Sequence, residues 1–356
     1  AAEEVRWVDA QPTADGPNVL SEEQVQSWRE HAFAFVSGVL GEDHVREVRE
    51  EALKRCPPPG SEAAKAHRDF GAGEFGRVFP CSDAAGDAFN RVAVAPRLLA
   101  AAAQLLGTRV ADIRLTQCEL WPKYGYEQVT EQDNRDQRMH VDYPNHTLVV
   151  PPPWHMPEAV EVIIYLSDVE ECGGATAAVP RDREGDPKYE YERMQQTPGV
   201  GVLPMVNDRT AAEAMIRERD EELHAHRATL YAAERRVRYR QGDVLLYRHD
   251  TWHRGTPLKE NALRLVVNMT FKRREAEWVH VLHVGWTWAM YSADKTMERL
   301  LAASTLDQRA VLGFPAPDSP YWCRETIAAV RRRWAPLEFD LSLYEEAVAR
   351  REAGQA

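Results

Sequence analysis

The chain has 356 residues, 44% hydrophobic and 28% charged, so its composition is that of a folded globular protein and excludes a disordered one. Its formal net charge of -12 argues against nucleic-acid binding, since phosphate contacts need a basic face. No run of about 18 apolar residues occurs, so we expect no membrane span. Three basic runs, interpreted either as solvated faces or as a pocket rim for an anionic substrate, are Arg235–Arg236, Lys272–Arg274 and Arg331–Arg333.

The five cysteines show no CxxC pair and no regular spacing, which excludes a disulfide framework and a zinc knuckle. Reduced thiols and an intracellular protein are therefore expected. The sequence begins with Ala1 rather than Met, which fits the removal of a targeting segment upstream. The expected location is cytoplasmic, or organellar after such a removal, and the sequence does not set the oligomeric state.

The first part of the chain, residues 1–108, is predicted to be mainly helical. Ser21 and Gln24 form a capping box at the start of the first helix, because the side chain of each residue can accept a hydrogen bond from the backbone amide of the other. A second helix is predicted at Asp43 to Lys54. A third runs from Pro96 to Leu106, where proline suits the first turn and Gly107 suits the end.

From residue 109 the pattern changes to alternation of apolar and polar residues, which is typical of strands. Turn signals such as Cys172-Gly173-Gly174 separate these segments. We therefore predict a mainly β fold with flanking helices, built on a double-stranded β-helix, the cupin-like jelly roll, over residues 109–290. The predicted strands are Arg109–Trp121, Val160–Leu166, Asp243–Tyr247 and Arg264–Phe271.

A long insertion interrupts this core at about residues 181–240. Its middle, Thr210 to Arg236, is rich in Ala, Glu and Arg and is predicted to be helical. Insertions of this length often cover the mouth of a barrel, so a mobile lid is expected. Residues 291–356 return to helices, predicted at about residues 294–303, 321–334 and 341–352. The whole of 1–356 is predicted to be a single domain.

One His-x-Asp motif stands at His140 and Asp142. Residues two apart on a strand face the same side, so the imidazole and the carboxylate can reach one metal ion. About one such motif is expected by chance among the chain's twelve histidines, so the motif alone is weak evidence. A third ligand is needed to give it weight.

His253 is the predicted third ligand, in Trp252-His253-Arg254 after the turn and strand that begin at Gly242. Two imidazoles and one carboxylate on one face of the ion are characteristic of non-haem Fe(II) oxygenases, because they leave positions open for a co-substrate and oxygen. His249 is an alternative for this role. His224 and His226, in the insertion, are interpreted as surface histidines.

Arg264 lies on a strand whose inward face is predicted to carry Arg264, Val266, Asn268 and Thr270. A guanidinium that points into an apolar barrel needs an anionic partner. A carboxylate in fork geometry meets this need, and the distal carboxylate of 2-oxoglutarate is the natural candidate. Asn268 and Thr256 are further candidates for contact with this co-substrate.

The sequence resembles the phytanoyl-CoA dioxygenase family of Fe(II)- and 2-oxoglutarate-dependent oxygenases from about residue 19 to 275. The resemblance rests on order and spacing, including the eleven positions between the distal histidine and the co-substrate arginine, His253 and Arg264 here. The other matching segments are His140-Val141-Asp142, Tyr165 to Val169, Gly173 to Thr176, Val179-Pro180 and Gly242-Asp243. The chain departs from the family at Arg181-Asp182, where Gly-Ser-His is usual, and at Gly255, where a hydroxyl residue is frequent.

The resemblance implies an enzyme that binds Fe(II), 2-oxoglutarate and O2. Such an enzyme hydroxylates or desaturates a C–H bond of a small-molecule or lipid-like metabolite and releases succinate and CO2. The presence of Asp142 favours these outcomes over halogenation, in which chloride replaces the carboxylate. Trp121, Tyr124 and Tyr143 are candidate substrate contacts that would favour a flat or apolar molecule.

Two other functions remain open at this point. One is a metal-binding jelly roll that acts as a sensor or binding module without catalysis. The other is a zinc hydrolase or isomerase on a cupin-like barrel, which would leave Arg264 without a purpose.

Overall fold

The structure is a computed structural model of the whole chain. No helix among the residues it describes is both long and apolar enough to cross a membrane. The described residues are 5–16, 18–66, 76–77, 87–125, 136–142, 154–190, 208–276, 301–302, 306, 309, 314–337 and 339–355.

The N-terminal part combines helices with short strands that the sequence pattern did not predict. The capping box of Ser21 and Gln24 is confirmed at the start of the first helix, and Gly107 ends the fifth with φ +61°. The strands are β1 (Trp7–Asp9), β2 (Gln11–Pro12), β3 (Phe33–Ser37) and β4 (Gly76–Arg77). The helices are α1 (Glu22–His31), α2 (Glu42–Arg55), α3 (Glu62–Ala66), α4 (Asp87–Ala93) and α5 (Pro96–Leu106).

The remaining strands confirm the four segments predicted from alternation to within a few residues. The largest difference is at the first, where a 3-10 turn at Val110–Asp112 precedes the strand. A short helix, α6 (Val169–Cys172), and three short strands complete this region. The strands are β5 (Ile113–Tyr124), β6 (Ala159–Tyr165), β7 (Thr176–Ala178), β8 (Arg235–Arg238), β9 (Val244–Tyr247), β10 (His253–Gly255) and β11 (Leu263–Arg273).

The described strands form two sheets. The larger has the order β2-β3-β9-β6-β11-β5-β4, in which β11 pairs antiparallel with both β5 and β6. The smaller has the order β1-β8-β7-β10. Apolar side chains from both sheets, including Phe35, Ile163 and Val266 from the larger and Ala178 and Val237 from the smaller, form one cluster between them. The predicted double-stranded β-helix is therefore confirmed.

Helices cover the outer face of the larger sheet. Leu98 and Leu105 of α5 and Val48 of α2 belong to one apolar cluster with Val162 of β6 and Val267 of β11. Burial of this apolar surface holds the helical layer to the sheet.

Residues 208–240 of the insertion contain α7 (Arg209–Arg219) and α8 (Glu221–Ala233). Asp208 and Asp220 accept hydrogen bonds from the first turns of the two helices, at Ala211 and Leu223. The predicted helix at Thr210–Arg236 is thus split at Asp220, and its last residues belong to β8 instead. That part of the prediction is wrong because Arg235 and Arg236 pair with the edge of β7.

Two C-terminal helices pack together around an aromatic cluster. They are α9 (Arg324–Trp334) and α10 (Ser342–Gln355). Phe314 contacts the rings of Trp322, Trp334, Phe339 and Tyr344, with centroid distances of 5.2 to 5.9 Å. The helix predicted at residues 294–303 lies mostly outside the described residues.

Candidate active site

His140, Asp142 and His253 converge on one point at the edge of the smaller sheet. One ligand atom from each lies within 4.8 Å of the other two. The Nε2 atom of His253 is 3.3 Å from Asp142 Oδ2, and that of His140 is 3.8 Å from Asp142 Oδ1. This is the only such group of three potential metal ligands among the described residues.

Backbone pairing explains this convergence. The amide of His140 donates to the carbonyl of His253 at 3.0 Å, and the amide of His253 donates back at 2.9 Å. Residues 136–142 therefore lie beside β10 as an extra edge strand. The amide of Asp142 donates to the carbonyl of His249 at 3.1 Å, which holds the carboxylate end of the motif.

The two imidazoles present the same nitrogen to the common point. His140 Nδ1 lies 2.9 Å from the carbonyl oxygen of Arg138, and His253 Nδ1 lies 2.9 Å from that of Thr251. A carbonyl only accepts, so each Nδ1 carries the proton and each Nε2 keeps a free lone pair. This tautomer is the one that binds a metal through Nε2.

The electrostatic environment of the site favours the binding of a cation. Burial, together with the neighbouring imidazole of His253, lowers the pKa of His140 to about 3, so the ring is neutral near pH 7. Tyr247, on β9, donates its hydroxyl to Asp142 Oδ2 at 2.8 Å. Burial, with the charge of Asp142, raises the pKa of Tyr247 well above its ordinary value, so this hydroxyl remains a donor.

Arg264 lies in the same cavity, on β11, and is 4% exposed. Its Nη1 donates to the carbonyl of Gly174, while its Nε has no hydrogen-bond partner among the described residues. The turn needs glycine at 174, because φ is +64° and a Cβ there would lie 2.4 Å from Leu258 Cδ2. A buried guanidinium with an unused donor is suited to an anionic ligand.

His249, the alternative ligand, does not join the group. Its Nε2 makes a buried ion pair with Glu161 instead. Burial alone lowers the pKa of His249, but the charge of Glu161 outweighs it and the pKa is raised. With its Nε2 engaged by that carboxylate, His249 does not offer this nitrogen to a metal. His226 is 8% exposed, so its prediction as a surface histidine is wrong, since α8 packs that face inward.

The remaining candidates fall on different parts of the structure. Asn268 and Trp121 line the cavity. The hydroxyl of Thr256 donates to the carbonyl of Ala175, and the hydroxyl of Tyr124 donates to the carbonyl of Pro57. Neither Thr256 nor Tyr124 lines the cavity. Tyr143 lies outside the described residues.

The cavity that holds these groups measures about 840 Å³, including the part open to solvent. Among its described lining residues only Trp121, Ile163 and Val266 are large and apolar. Sequence patterns gave no role to Tyr247, Glu161 or Gln137, although all three line it. Alternation along β9 and β6 does put Tyr247 and Glu161 on the inner face, which is the signal that could have found them.

These donors fit ferrous iron and 2-oxoglutarate. Two imidazole nitrogens and one carboxylate on one side are the Fe(II) oxygenase set, and other positions stay open for a chelating co-substrate. The Nε of Arg264, which has no hydrogen-bond partner in the described part of the chain, is a donor in the same cavity that suits the far carboxylate of such a co-substrate.

No curated protein matches the chain. Solved structures with limited similarity include AviO1 from Streptomyces viridochromogenes Tue57, with 16% identity and a TM-score of 0.45 over 71% of this chain and 95% of that one. HygX from Streptomyces hygroscopicus with iron bound shows 18% identity and a TM-score of 0.41 over 72% and 88%.

A third is the epimerase SnoN from nogalamycin biosynthesis, in complex with Fe3+, alpha ketoglutarate and nogalamycin RO, with 17% identity and a TM-score of 0.44 over 74% and 88%. The family profile described as Phytanoyl-CoA dioxygenase (PhyH) matches residues 28–265, more than half of the chain, and the match includes His140, Asp142, His253 and Arg264. The chain therefore belongs to the phytanoyl-CoA dioxygenase family of Fe(II)- and 2-oxoglutarate-dependent oxygenases.

Proposed function

We propose that this oxygenase hydroxylates or desaturates a C–H bond of a small-molecule metabolite, with His140, Asp142 and His253 as its iron ligands and Arg264 as its 2-oxoglutarate anchor. One observation carries the proposal: the three candidate metal-ligand atoms share a single cavity with a buried arginine, one of whose donors has no partner among the described residues. Iron and 2-oxoglutarate, when bound, supply the oxidising chemistry that uses O2 and yields succinate and CO2.

The protein's own residues hold the three metal ligands in fixed positions. His140 and His253 offer Nε2 because backbone carbonyls hold the protons on Nδ1. Asp142 is oriented by the hydroxyl of Tyr247, which keeps one carboxylate oxygen in a fixed place. A fixed set of ligands fixes where a substrate C–H bond must lie to react.

Arg264 sets the direction of the co-substrate. Its bond to Gly174 holds the guanidinium, so that Nε faces the ligand without further ordering. Asn268 lies four residues after Arg264 on the same inner face of β11, and it is a second candidate contact with the co-substrate. Thr256 is less suited, because its hydroxyl already donates to Ala175.

The test is an anaerobic titration of Fe(II) and 2-oxoglutarate into the apo protein, in which the visible charge-transfer band of the chelate is measured. The wild type should develop the band, and His140→Ala and Arg264→Ala should lose or weaken it. His155→Ala and Arg183→Ala are matched controls, because both side chains are exposed, and should titrate like the wild type.

Absence of the band in the wild type at saturating iron would overturn the proposal in favour of a metal-binding module without catalysis. An Arg264→Ala variant with full activity would favour a zinc hydrolase or isomerase, since only that function leaves the arginine unused.

A further inference from the structure

The segment that carries His140 has two backbone edges. One edge faces β10, because the amide and the carbonyl of His140 both bond to His253. In an antiparallel pair the amide and carbonyl of the adjacent residue point away from the partner strand, so those of Met139 face outward. Met139 is 0% exposed, so these two outward groups need partners other than bulk water.

The corresponding edge beside His253 is closed by main chain. The carbonyl of Trp252, the residue before His253, accepts from the amide of Val179 at the end of β7, at 2.9 Å. No described strand pairs with the outer edge at Met139. Apart from β10, its segment is bridged at only one further position among the described residues, Asp136. The main chain just before His140 therefore depends on side chains for its order.

Helix α8 supplies both of the partners that Met139 needs. The amide of Met139 donates to the hydroxyl oxygen of Tyr231 at 2.9 Å, and its carbonyl accepts from Arg227 Nη2 at 2.9 Å. Arg227 and Tyr231 are four residues apart, so they lie on the same face of α8. Two side chains of one helix thus take the place of a neighbouring strand at this position.

Glu213 of α7 orders these two side chains. Its Oε1 accepts from the hydroxyl of Tyr231 at 2.7 Å and from Arg227 Nη2 at 2.6 Å, and its Oε2 accepts from Arg227 Nε at 3.0 Å. The hydroxyl proton of Tyr231 is therefore directed at Glu213, which leaves an oxygen lone pair for the amide of Met139. The hydrogen bonds run in one direction, from Met139 through Tyr231 to Glu213.

The charges of Glu213 and Arg227 balance each other in the interior. Burial raises the pKa of Glu213, but its hydrogen bonds with Arg227 outweigh this effect and the pKa is lowered, so the carboxylate is ionised. Arg227 is 1% exposed, so separating the two groups would leave a buried charge without its partner. This cost opposes movement of α8 relative to α7.

The same two helices also hold the start of the segment, at Asp136. The amide of Arg209, the first residue of α7, donates to the carbonyl of Asp136 at 3.0 Å, and its Nε lies 3.1 Å from Asp136 Oδ2. Asp136 also pairs with Arg254, the residue after His253. Arg254 Nε in turn donates to Glu234, which follows α8 directly, at 2.7 Å. The main chain beside each ligand histidine is therefore joined to α7 and α8.

We propose that α7 and α8 are a fixed support for the iron ligand His140 and not a moving lid, and that three of their side chains are positioning residues. These side chains are Glu213, Arg227 and Tyr231. The inference rests on the proposed function, in which His140 binds the metal. Its imidazole follows directly after the bonded peptide groups of Met139, so a shift of that main chain would move Nε2 relative to the other two ligands.

The length of the insertion favours a lid, but the contacts of α7 and α8 oppose one. A lid that opened at these helices would have to separate Glu213 or Arg227 from buried partners and leave the amide of Met139 without an acceptor. It would also release the main chain that carries a metal ligand. A support that stays in place avoids both costs.

The affinity and the visible spectrum of Co(II), added to the apo protein in place of Fe(II), test the positioning role. The spectrum depends on the geometry of the ligands as well as on their number. Tyr231→Phe removes one hydroxyl and keeps the ring. We expect it to bind Co(II) about tenfold more weakly and with altered band intensities, because a supporting contact of the ligand segment is lost. Glu213→Gln, which removes the charge that orders Arg227, should weaken binding at least as much.

Two variants with the same chemical changes at other positions are the matched controls. Glu218→Gln lies on the exposed side of α7, and Tyr239→Phe removes a hydroxyl that donates to the carbonyl of Gly173. Both should bind Co(II) like the wild type. If Tyr231→Phe shows wild-type affinity and spectrum and only a lower thermal stability, its contacts are merely structural and the inference is overturned.

The wild type and His140→Ala distinguish failure of this inference from failure of the proposed function. A wild type that does not bind Co(II), or a His140→Ala variant that binds it equally well, would show that the proposed ligand set is wrong, and the inference would fail with it. Normal behaviour of these two proteins together with an unchanged Tyr231→Phe would leave the ligand set standing and overturn the positioning role alone.

Amide hydrogen exchange of the wild type separates a support from a lid and needs no variant that might fail to fold. In the apo protein the amides of α7 and α8 should exchange about as slowly as those of β11, because their buried contacts form before any ligand binds. Fast exchange of α7 and α8 that becomes slow only when Fe(II) and 2-oxoglutarate are both bound would show a lid and overturn the inference.

Discussion

The two faces of the larger sheet use the same strands for opposite purposes. On β11 the residues Leu265, Val267 and Met269 face the helices, whereas Arg264 and Asn268 face the cavity. The outer face stabilises the fold by burying apolar area, and the inner face gives up such burial to place charges and amides. One strand therefore carries both stability and chemistry, separated only by the alternation of its side chains.

Removing outer-face packing should give the largest change in stability. Met269→Ala is expected to lower the free energy of unfolding by about 2–5 kcal/mol, because it leaves a cavity in a fully buried cluster. Urea denaturation measures this. The affinity of the folded protein for 2-oxoglutarate should be unchanged, and a large loss of that affinity would show that the two faces are not separate.

A substitution of Arg264, on the inner face of the same strand, should behave in the opposite way. Arg264→Met removes a buried charge, so the free energy of unfolding should stay within about 1 kcal/mol of the wild type or rise. The dissociation constant for 2-oxoglutarate should increase by roughly ten- to a hundredfold, since charge-assisted hydrogen bonds are lost. Charge-transfer titration checks affinity, and urea denaturation of the same variant checks stability.

Tyr247→Phe should have a smaller effect that is confined to the metal. The variant loses the hydrogen bond to Asp142 but keeps the ring, so we expect about tenfold weaker Co(II) binding and little change in the apo protein's stability. Tyr239→Phe, on the same side of the core but bonded to Gly173, serves as a comparison and should leave Co(II) affinity unchanged.

The smallest expected effect concerns Asp243, at the turn before β9. Burial raises its pKa to about 6, above the usual value near 3.8, so the folded state holds the proton more tightly than the unfolded state. Stability from this group is present at low pH and is lost as pH rises through about 6.

Asp243→Asn should remove this dependence, because the amide oxygen can still accept from the amide of Arg240. We expect a gain of roughly 1 kcal/mol in unfolding free energy at pH 7 and none at pH 4. Urea denaturation at both pH values is the measurement. An equal gain at the two values would contradict the assigned cause.

Much of this arrangement could be predicted from the sequence, because it depends on local pattern. Alternation predicted the central strands, and the inner face of β11 followed from where Arg264 falls in that alternation. The spacing of His253 and Arg264, together with the family resemblance, pointed to both ends of the cavity.

Features that depend on long-range pairing could not be predicted in this way. The strands β1 and β2 are too short to show a period, and they form only because β8 and β3 offer an edge. The contacts of Met139 with Tyr231 and Arg227 join segments about ninety residues apart, and no local pattern records them. Burial of His226 has the same origin, since α8 packs on residues 136–142 rather than facing solvent.

The direct pairing of His140 with His253 has a consequence for how this kind of enzyme diversifies. The two residues are cross-strand neighbours although more than a hundred positions separate them in sequence, and two backbone hydrogen bonds join them directly. Segments between them that do not contact residues 139–142 can lengthen, shorten or change composition while this pairing is kept. New substrate preferences can thus arise in those segments at little cost to the iron site.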